Sequence, residues 1–220
     1  MVIDLKKYRI VDLSEELVPG TLNTKGEYVH GSEVRRLEIR EFIYKPDNTI
    51  MHWVETETHI GTHVEFPAHY VRGGKDGTSL PIETFMGEAV GIDLGYKKPG
   101  EPLTPEDLEK AGVKSGDIVL IWSPYKGDDR PAISPEAAKW MAEKKIKLLG
   151  VDNSINVEAS YELMATHENL LKNDIPIIER LANLNQLKKK RFFFIGLPLR
   201  IRNLDSSWIR AVALEELDGE

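Results

Sequence analysis

The chain has 220 residues and a mass of 24.9 kDa, enough to bury a substantial core within one domain over residues 1–220. Its 29 Lys and Arg against 36 Asp and Glu give a net charge of −7 and a pI near 5.5, which argues against a general phosphate-binding surface and hence against a nucleic-acid partner. Disulfides, thiolate ligands and a cysteine nucleophile are excluded because there is no cysteine; with no long apolar run and no signal-peptide core at the start, a soluble cytoplasmic protein without membrane contact is expected.

Residues 9–13 read as a short strand ending at Asp12-Leu13-Ser14, with Pro19-Gly20 opening a loop. Residues 21–31 are polar and lack a clear period, as in an active-site flap or an ordinary loop. Alternation over 34–44 and 49–57 predicts two antiparallel strands leading into a histidine-rich segment; Trp53 would line a pocket or join the core. That segment, 59–69, reads H-I-G-T-H-V-E-F-P-A-H. The glycine-rich stretch 70–77 behind it matches neither common phosphate-binding pattern. Residues 88–94 read as a buried strand. Thr104 as N-cap, Pro105 at N1, Glu106 and Asp107 in the first turn and Gly112 past the end predict a helix to about Ala111. An apolar strand over 117–122 follows, then a helix opened by Ser134 and Pro135 and running to about Lys145, then a strand over 148–151. A helix over 158–171 carries His167 and stops at Asn173-Asp174. The apolar run 175–178 leads into Glu179, where a buried, unpaired charge would be costly and would need water or a cation. The basic block 188–191 reads as a solvated entry to a strand over 192–199, with Phe192, Phe193 and Phe194 in the core, and 208–213 completes the sheet. This is an α/β chain, β-rich in its N-terminal part and alternating helix and strand afterwards.

Three imidazoles and a carboxylate within 59–69 point to a divalent cation. His59, His63, Glu65 and His69 share one parity, so an extended strand would put them on one face. A straight strand would still hold His59 and His63 about 13 Å apart, whereas ligands lie about 2.0 to 2.2 Å from a Zn²⁺ ion, so the backbone must bend. Gly61 is placed to take that turn, and Pro67 ends regular pairing before His69. A serine hydrolase is disfavoured because no G-x-S-x-G elbow exists, and His167-Glu168-Asn169-Leu170-Leu171 lacks the second histidine of H-E-x-x-H.

The segment His59-Ile-Gly61-Thr62-His63-Val-Glu65-Phe-Pro67-Ala-His69 closely resembles the H-x-G-T-H-x-[DE]-x-P-x-H motif of the cyclase family, which includes bacterial kynurenine formamidase and isatin hydrolase. His167 and Glu179, together with Asp12-Leu13-Ser14 and Gly150-Val151-Asp152, extend the resemblance over most of the chain. The resemblance implies a swivelling β/β/α domain, one metal on His59, His63 and Glu65, a second metal or shared edge on His167 and Glu179, and His69 as acid/base. It also implies a homo-oligomer, dimer or tetramer. Two departures matter. The family's formamidases carry Asp where this chain has Glu65, and the extra methylene is expected to move the carboxylate outward and weaken a bridging role. They also carry an early-loop Trp, absent here from Val18 to Thr24, so kynurenine formamide is not the expected substrate. The expected activity is metal-dependent hydrolysis of an amide, lactam or ester carbonyl in a small molecule, with one or two ions. Zn²⁺ comes first, and Mn²⁺ or Fe²⁺ also suit the N/O donors. The rival from another class is a non-catalytic metal or small-molecule binding protein on the same fold.

Overall fold

A computed structural model describes residues 4–217. The chain begins with β1 (Tyr8–Asp12) and two hairpins, β2 (Thr21–Leu22) with β3 (Tyr28–Val29) and β4 (Leu37–Tyr44) with β5 (Thr49–Thr56). Next come the short strand β6 (His63–Glu65) and one helical turn, α1 (Pro67–Tyr70). Strand and helix then alternate through β7 (Met86–Asp93), α2 (Pro105–Ala111), β8 (Ile118–Trp122), α3 (Pro135–Lys144), β9 (Leu148–Asp152), α4 (Ala165–Leu171) and β10 (Ile177–Leu181). The described chain ends with β11 (Arg191–Ile195), β12 (Ser206–Trp208) and β13 (Val212–Glu216).

Local chemistry sets most of these boundaries. α2 opens with a reciprocal capping box, in which the Thr104 backbone N–H donates to Asp107 Oδ2 at 2.8 Å, and it ends at Gly112 with φ 73°. Ser134 Oγ accepts the Ala137 N–H at 3.1 Å to start α3. All five residues of β8 are buried, as a parallel strand covered on both faces requires.

Nine strands form one sheet in the order β1-β13-β11-β7-β8-β9-β10-β6-β12. β7 to β10 run parallel, and the strands outside them pair antiparallel. One face packs on α2, α3 and α4 through Val119, Ile121, Leu149, Met141 and Leu170. The other face, with Phe66, Leu120, Ile178 and Phe194, lines a second core around which the sheet curls as a half-barrel. Burying a side chain such as Leu120 fully is worth about 1.5–3 kcal/mol.

The structure departs from the sequence reading in five places. The β4–β5 hairpin is a separate two-stranded ribbon with Trp53 65% exposed, so Trp53 belongs to neither pocket nor core. Residues 21–31 hold the short β2–β3 hairpin. The helix expected over 158–171 begins only at Ala165, because the Glu158 carboxylate, from outside the helix, accepts the N–H groups of Thr166 and His167 at 3.1 and 2.8 Å. The strand expected over 208–213 splits: β12 pairs with β6 at one edge of the sheet and β13 with β11 and β1 at the other. Phe192 and Phe194 are core, whereas Phe193, of opposite parity, is exposed.

Candidate metal centre

β6 places His63 and Glu65 on one face at the middle of the β10-β6-β12 edge, and register sets Glu179 of β10 directly opposite His63. The chain reaches β6 through a tight turn. Gly61 has φ 54°, the left-handed conformation that glycine takes without steric cost, and its carbonyl accepts from His63 Nδ1 at 2.7 Å. A carbonyl can only accept, so Nδ1 carries a proton, and the lone pair of the neutral ring is the one at Nε2. After β6, Pro67 opens α1 and so turns His69 back over the cluster rather than continuing the strand.

Glu65 is the hub. Its Oε1 lies 3.0 Å from His59 Nδ1, 3.8 Å from His63 Nε2 and 3.7 Å from His69 Nε2. Its Oε2 lies 3.1 Å from His167 Nε2, too far off line for a hydrogen bond. Donor atoms of His59, Glu65 and His69 form one set within 4.8 Å of one another, and those of His63, Glu65 and Glu179 form a second. Thus Glu65 is common to both sets, and the extra methylene does not carry it away from the cluster. His59 groups with His69 rather than with His63. His167 faces the same carboxylate from the start of α4.

Sequence reasoning missed two acidic partners. Glu158 Oε1 accepts from His167 Nδ1 at 2.7 Å, which leaves Nε2 toward Glu65. Asp205 Oδ2 lies 2.7 Å from His59 Nε2 and 3.3 Å from His69 Nδ1. Asp205 is 146 residues from His59, and no local pattern marks it. Such outer carboxylates orient imidazole ligands and raise their basicity.

Burial opposes ionisation of Glu65, but the imidazoles of His167, His59 and His63 outweigh it and hold the group well below the usual range. Burial and then the charge of Glu65 push Glu179 up. Burial disfavours the charged form of His167, yet Glu158 and Glu65 push it up to about 10. His59 is raised as well, its burial overcome by Glu65 and Asp205. His69 is lowered, chiefly by burial and against the pull of Glu65, so it is neutral at neutral pH. The donor set is all nitrogen and oxygen, and His63 Nε2 and Glu65 Oε2 are buried with no hydrogen-bond partner. A buried acceptor left unpaired costs about 1–3 kcal/mol, so both atoms call for a cation. The residues present fit a divalent metal.

A cavity of about 110 Å³ opens onto His167 and Glu179, walled by Arg130, Asn153, Tyr161 and Arg180. A larger one of about 570 Å³, floored by Trp122 and Leu181, adjoins it through Asp152 and Asn153.

Fold and cluster together define the class. Isatin hydrolase A from Labrenzia aggregata, solved with benzyl benzoate, superposes with a TM-score of 0.77 at 23% identity, covering 96% of this chain and 95% of that one. A protein from Bacillus stearothermophilus, described as a predicted metal-dependent hydrolase, superposes with a TM-score of 0.74 at 21% identity over 94% and 98% of the two chains. The family described as "Putative cyclase" matches residues 11–158, and the kynurenine formamidase of Erythrobacter litoralis (strain HTCC2594) is 30% identical over 218 residues, 96% of each chain. The chain belongs to the cyclase family.

Proposed function

We propose that this protein is a metal-dependent hydrolase that opens a non-peptide C–N bond in a small-molecule amide or lactam, with an ester as the nearest variant. The observation that carries this reading is Glu65, a buried carboxylate shared by two donor sets, with its Oε2 and His63 Nε2 buried without a hydrogen bond. The full-length similarity to a kynurenine formamidase supports amide chemistry over a purely binding role.

We assign His59, His63, Glu65, His167 and Glu179 as the ligands of one cation or of two that share Glu65, with His63 and Glu179 on one side of that carboxylate, His59 on the other and His167 at its edge. Zn²⁺ suits these donors first and Mn²⁺ second. A divalent cation held there supplies Lewis acidity, which acidifies water and polarises a carbonyl oxygen. His69, neutral and half-exposed, takes a proton from the attacking water and returns it to the leaving nitrogen as the C–N bond breaks. Asp205 orients the His69 ring through Nδ1. The small cavity admits little more than the reacting carbonyl, since sites for whole drug-sized ligands run to about 300–1,000 Å³; the rest of the substrate would lie in the larger cavity.

We further propose that residues 1–220 act as one catalytic domain, supported by the pairing of β1 with β13 in the same sheet. We also propose a cytoplasmic location, which the acidic composition and mean hydropathy of −0.34 support. No helix of the described residues is long and apolar enough to cross a membrane. A homo-oligomer is supported by the projecting β4–β5 hairpin, which exposes Ile39, Ile43, Ile50, Met51, Trp53 and Val54.

The test is a panel of N-formyl anilines, isatins and cyclic imides, assayed with protein stripped by chelator and then reloaded with Zn²⁺ or Mn²⁺. Hydrolysis that appears only on reloading supports the reading. Stoichiometric metal with no turnover on any amide or lactam would return the protein to the binding class.

A further inference from the structure

We propose that Glu33 is a positioning residue for the cation site, locking together the two left-handed turns from which the ligand side chains project. This rests on the reading that the cluster binds a divalent cation.

The first turn is Gly61, between His59 and His63. The second is Arg180, which follows Glu179 and takes φ 60°, a conformation unfavourable for a residue with a side chain. It lies where the β9–β10 register shifts between Ile178 and Leu181, and this irregularity aims Glu179 at His63. Glu33 spans both turns with one carboxylate. Its Oε1 accepts from the Gly61 N–H at 3.1 Å, and its Oε2 accepts from Arg180 Nη1 at 2.5 Å. Gly61 is 28 residues away in sequence and Arg180 is 147 away.

Neighbouring groups close the ring. Thr62 Oγ1 donates to the Arg180 carbonyl at 2.6 Å and accepts the Glu15 N–H at 2.8 Å, and Glu15 Oε2 pairs with Arg180 Nη2 at 2.9 Å. The Glu33 side chain is 2% exposed, yet Glu33 belongs to neither hydrophobic core. Burying a carboxylate contributes little net stability even when it is well paired, so what Glu33 supplies is geometry. Metal sites hold ligand distances to about 0.2 Å, and a slackened Gly61 or Arg180 turn would re-aim His59, His63 and Glu179 together.

The experiment compares wild type, Glu33→Gln and Glu33→Ala with Glu38→Gln, which alters another buried carboxylate at the base of the β4–β5 hairpin. Each metal-free protein is titrated with Zn²⁺ against a chromophoric chelator, and its thermal midpoint is measured before loading. We expect Glu33→Ala to weaken Zn²⁺ binding about 10- to 100-fold, the usual effect of losing an outer partner, and Glu33→Gln to weaken it less, with midpoints no lower than that of Glu38→Gln. Wild-type affinity in both Glu33 variants, or an equal loss in Glu38→Gln, overturns the inference. If Glu33→Ala does not fold, Glu33→Gln decides alone: weakened binding supports the role and unchanged binding refutes it. A wild type that binds no Zn²⁺ overturns the underlying reading and this inference with it, whereas wild-type binding with an unaffected Glu33→Gln removes only the inference.

Discussion

His69 differs from His59 and His167 because burial outweighs the neighbouring carboxylates and lowers its proton affinity, while its ring stays partly open to solvent. Replacing it with alanine should cost orders of magnitude in turnover and leave the cation content near that of wild type, as elemental analysis beside a rate assay would show. Loss of the cation would instead make His69 a ligand, an option that its grouping with His59 and Glu65 keeps concrete. Glu158 acts one step further out. Glu158→Gln should weaken cation affinity about 10- to 100-fold, because the amide no longer enforces the His167 tautomer; a chelator competition that returns wild-type affinity would remove Glu158 from the site. The gathering of His59, His63, Glu65 and His69 was legible in the sequence because all four share one parity and Gly61 marks the bend. Asp205 and Glu33 were not, since they meet partners far away in the chain, and Glu158 was read as the first residue of a helix rather than as a partner of His167.

Among the elements, the glycines at close approaches give the sharpest tests. Gly61→Ala must hold a side chain at φ 54° with its Cβ about 2.8 Å from the Leu17 side chain, and should lose about 1–3 kcal/mol in a denaturant titration. Gly150→Ala puts a Cβ 2.5 Å from Leu120 Cδ2 and 2.8 Å from Leu181 Cδ1 in the second core and should lose about 1–3 kcal/mol by overpacking, with cation affinity changed less than in Gly61→Ala. If the two variants bind the cation alike, the Gly61 turn is not specific to the site. Asp76 ties the segment before Asp205 to the loop after α1. The Asn203 N–H, followed by the hydroxyls of Ser79 and Thr78, holds its carboxyl well below the ordinary range. A depressed folded value stabilises above the unfolded value of about 3.9 and is lost as pH falls through the folded one. The stability gap between wild type and Asp76→Asn should therefore be flat from about pH 5 to pH 8 and narrow at more acidic pH. A gap that widens on acidification would contradict this. α2 and α3 were legible to within a residue because caps and stops lie in their own sequence. The short α4 was not, because Met164 at φ 46° and the Glu158 carboxylate, not a local cap, decide where it starts.

At the scale of the whole molecule, alternation in β4 and β5 was read as two antiparallel strands, and they pair so, but as a ribbon separate from the main sheet whose apolar side chains stay exposed. Periodicity reports that a strand has an apolar face, not what covers it. On the homo-oligomer reading a second copy covers the face that carries Ile39, Ile43, Ile50 and Val54, so Ile50→Glu together with Val54→Glu should shift the sedimentation coefficient toward that of the monomer. An unchanged coefficient would place the interface elsewhere. The curled sheet brings β6, β10 and β12 together at one edge, and the account depends on a cation being bound there. The most direct measurement is calorimetric titration of chelator-stripped protein with Zn²⁺, comparing wild type with Glu65→Gln. Wild type should bind one or two equivalents, and the variant should bind at least a hundredfold more weakly. Stoichiometric binding that survives unchanged in Glu65→Gln, or no binding by wild type, would contradict the account.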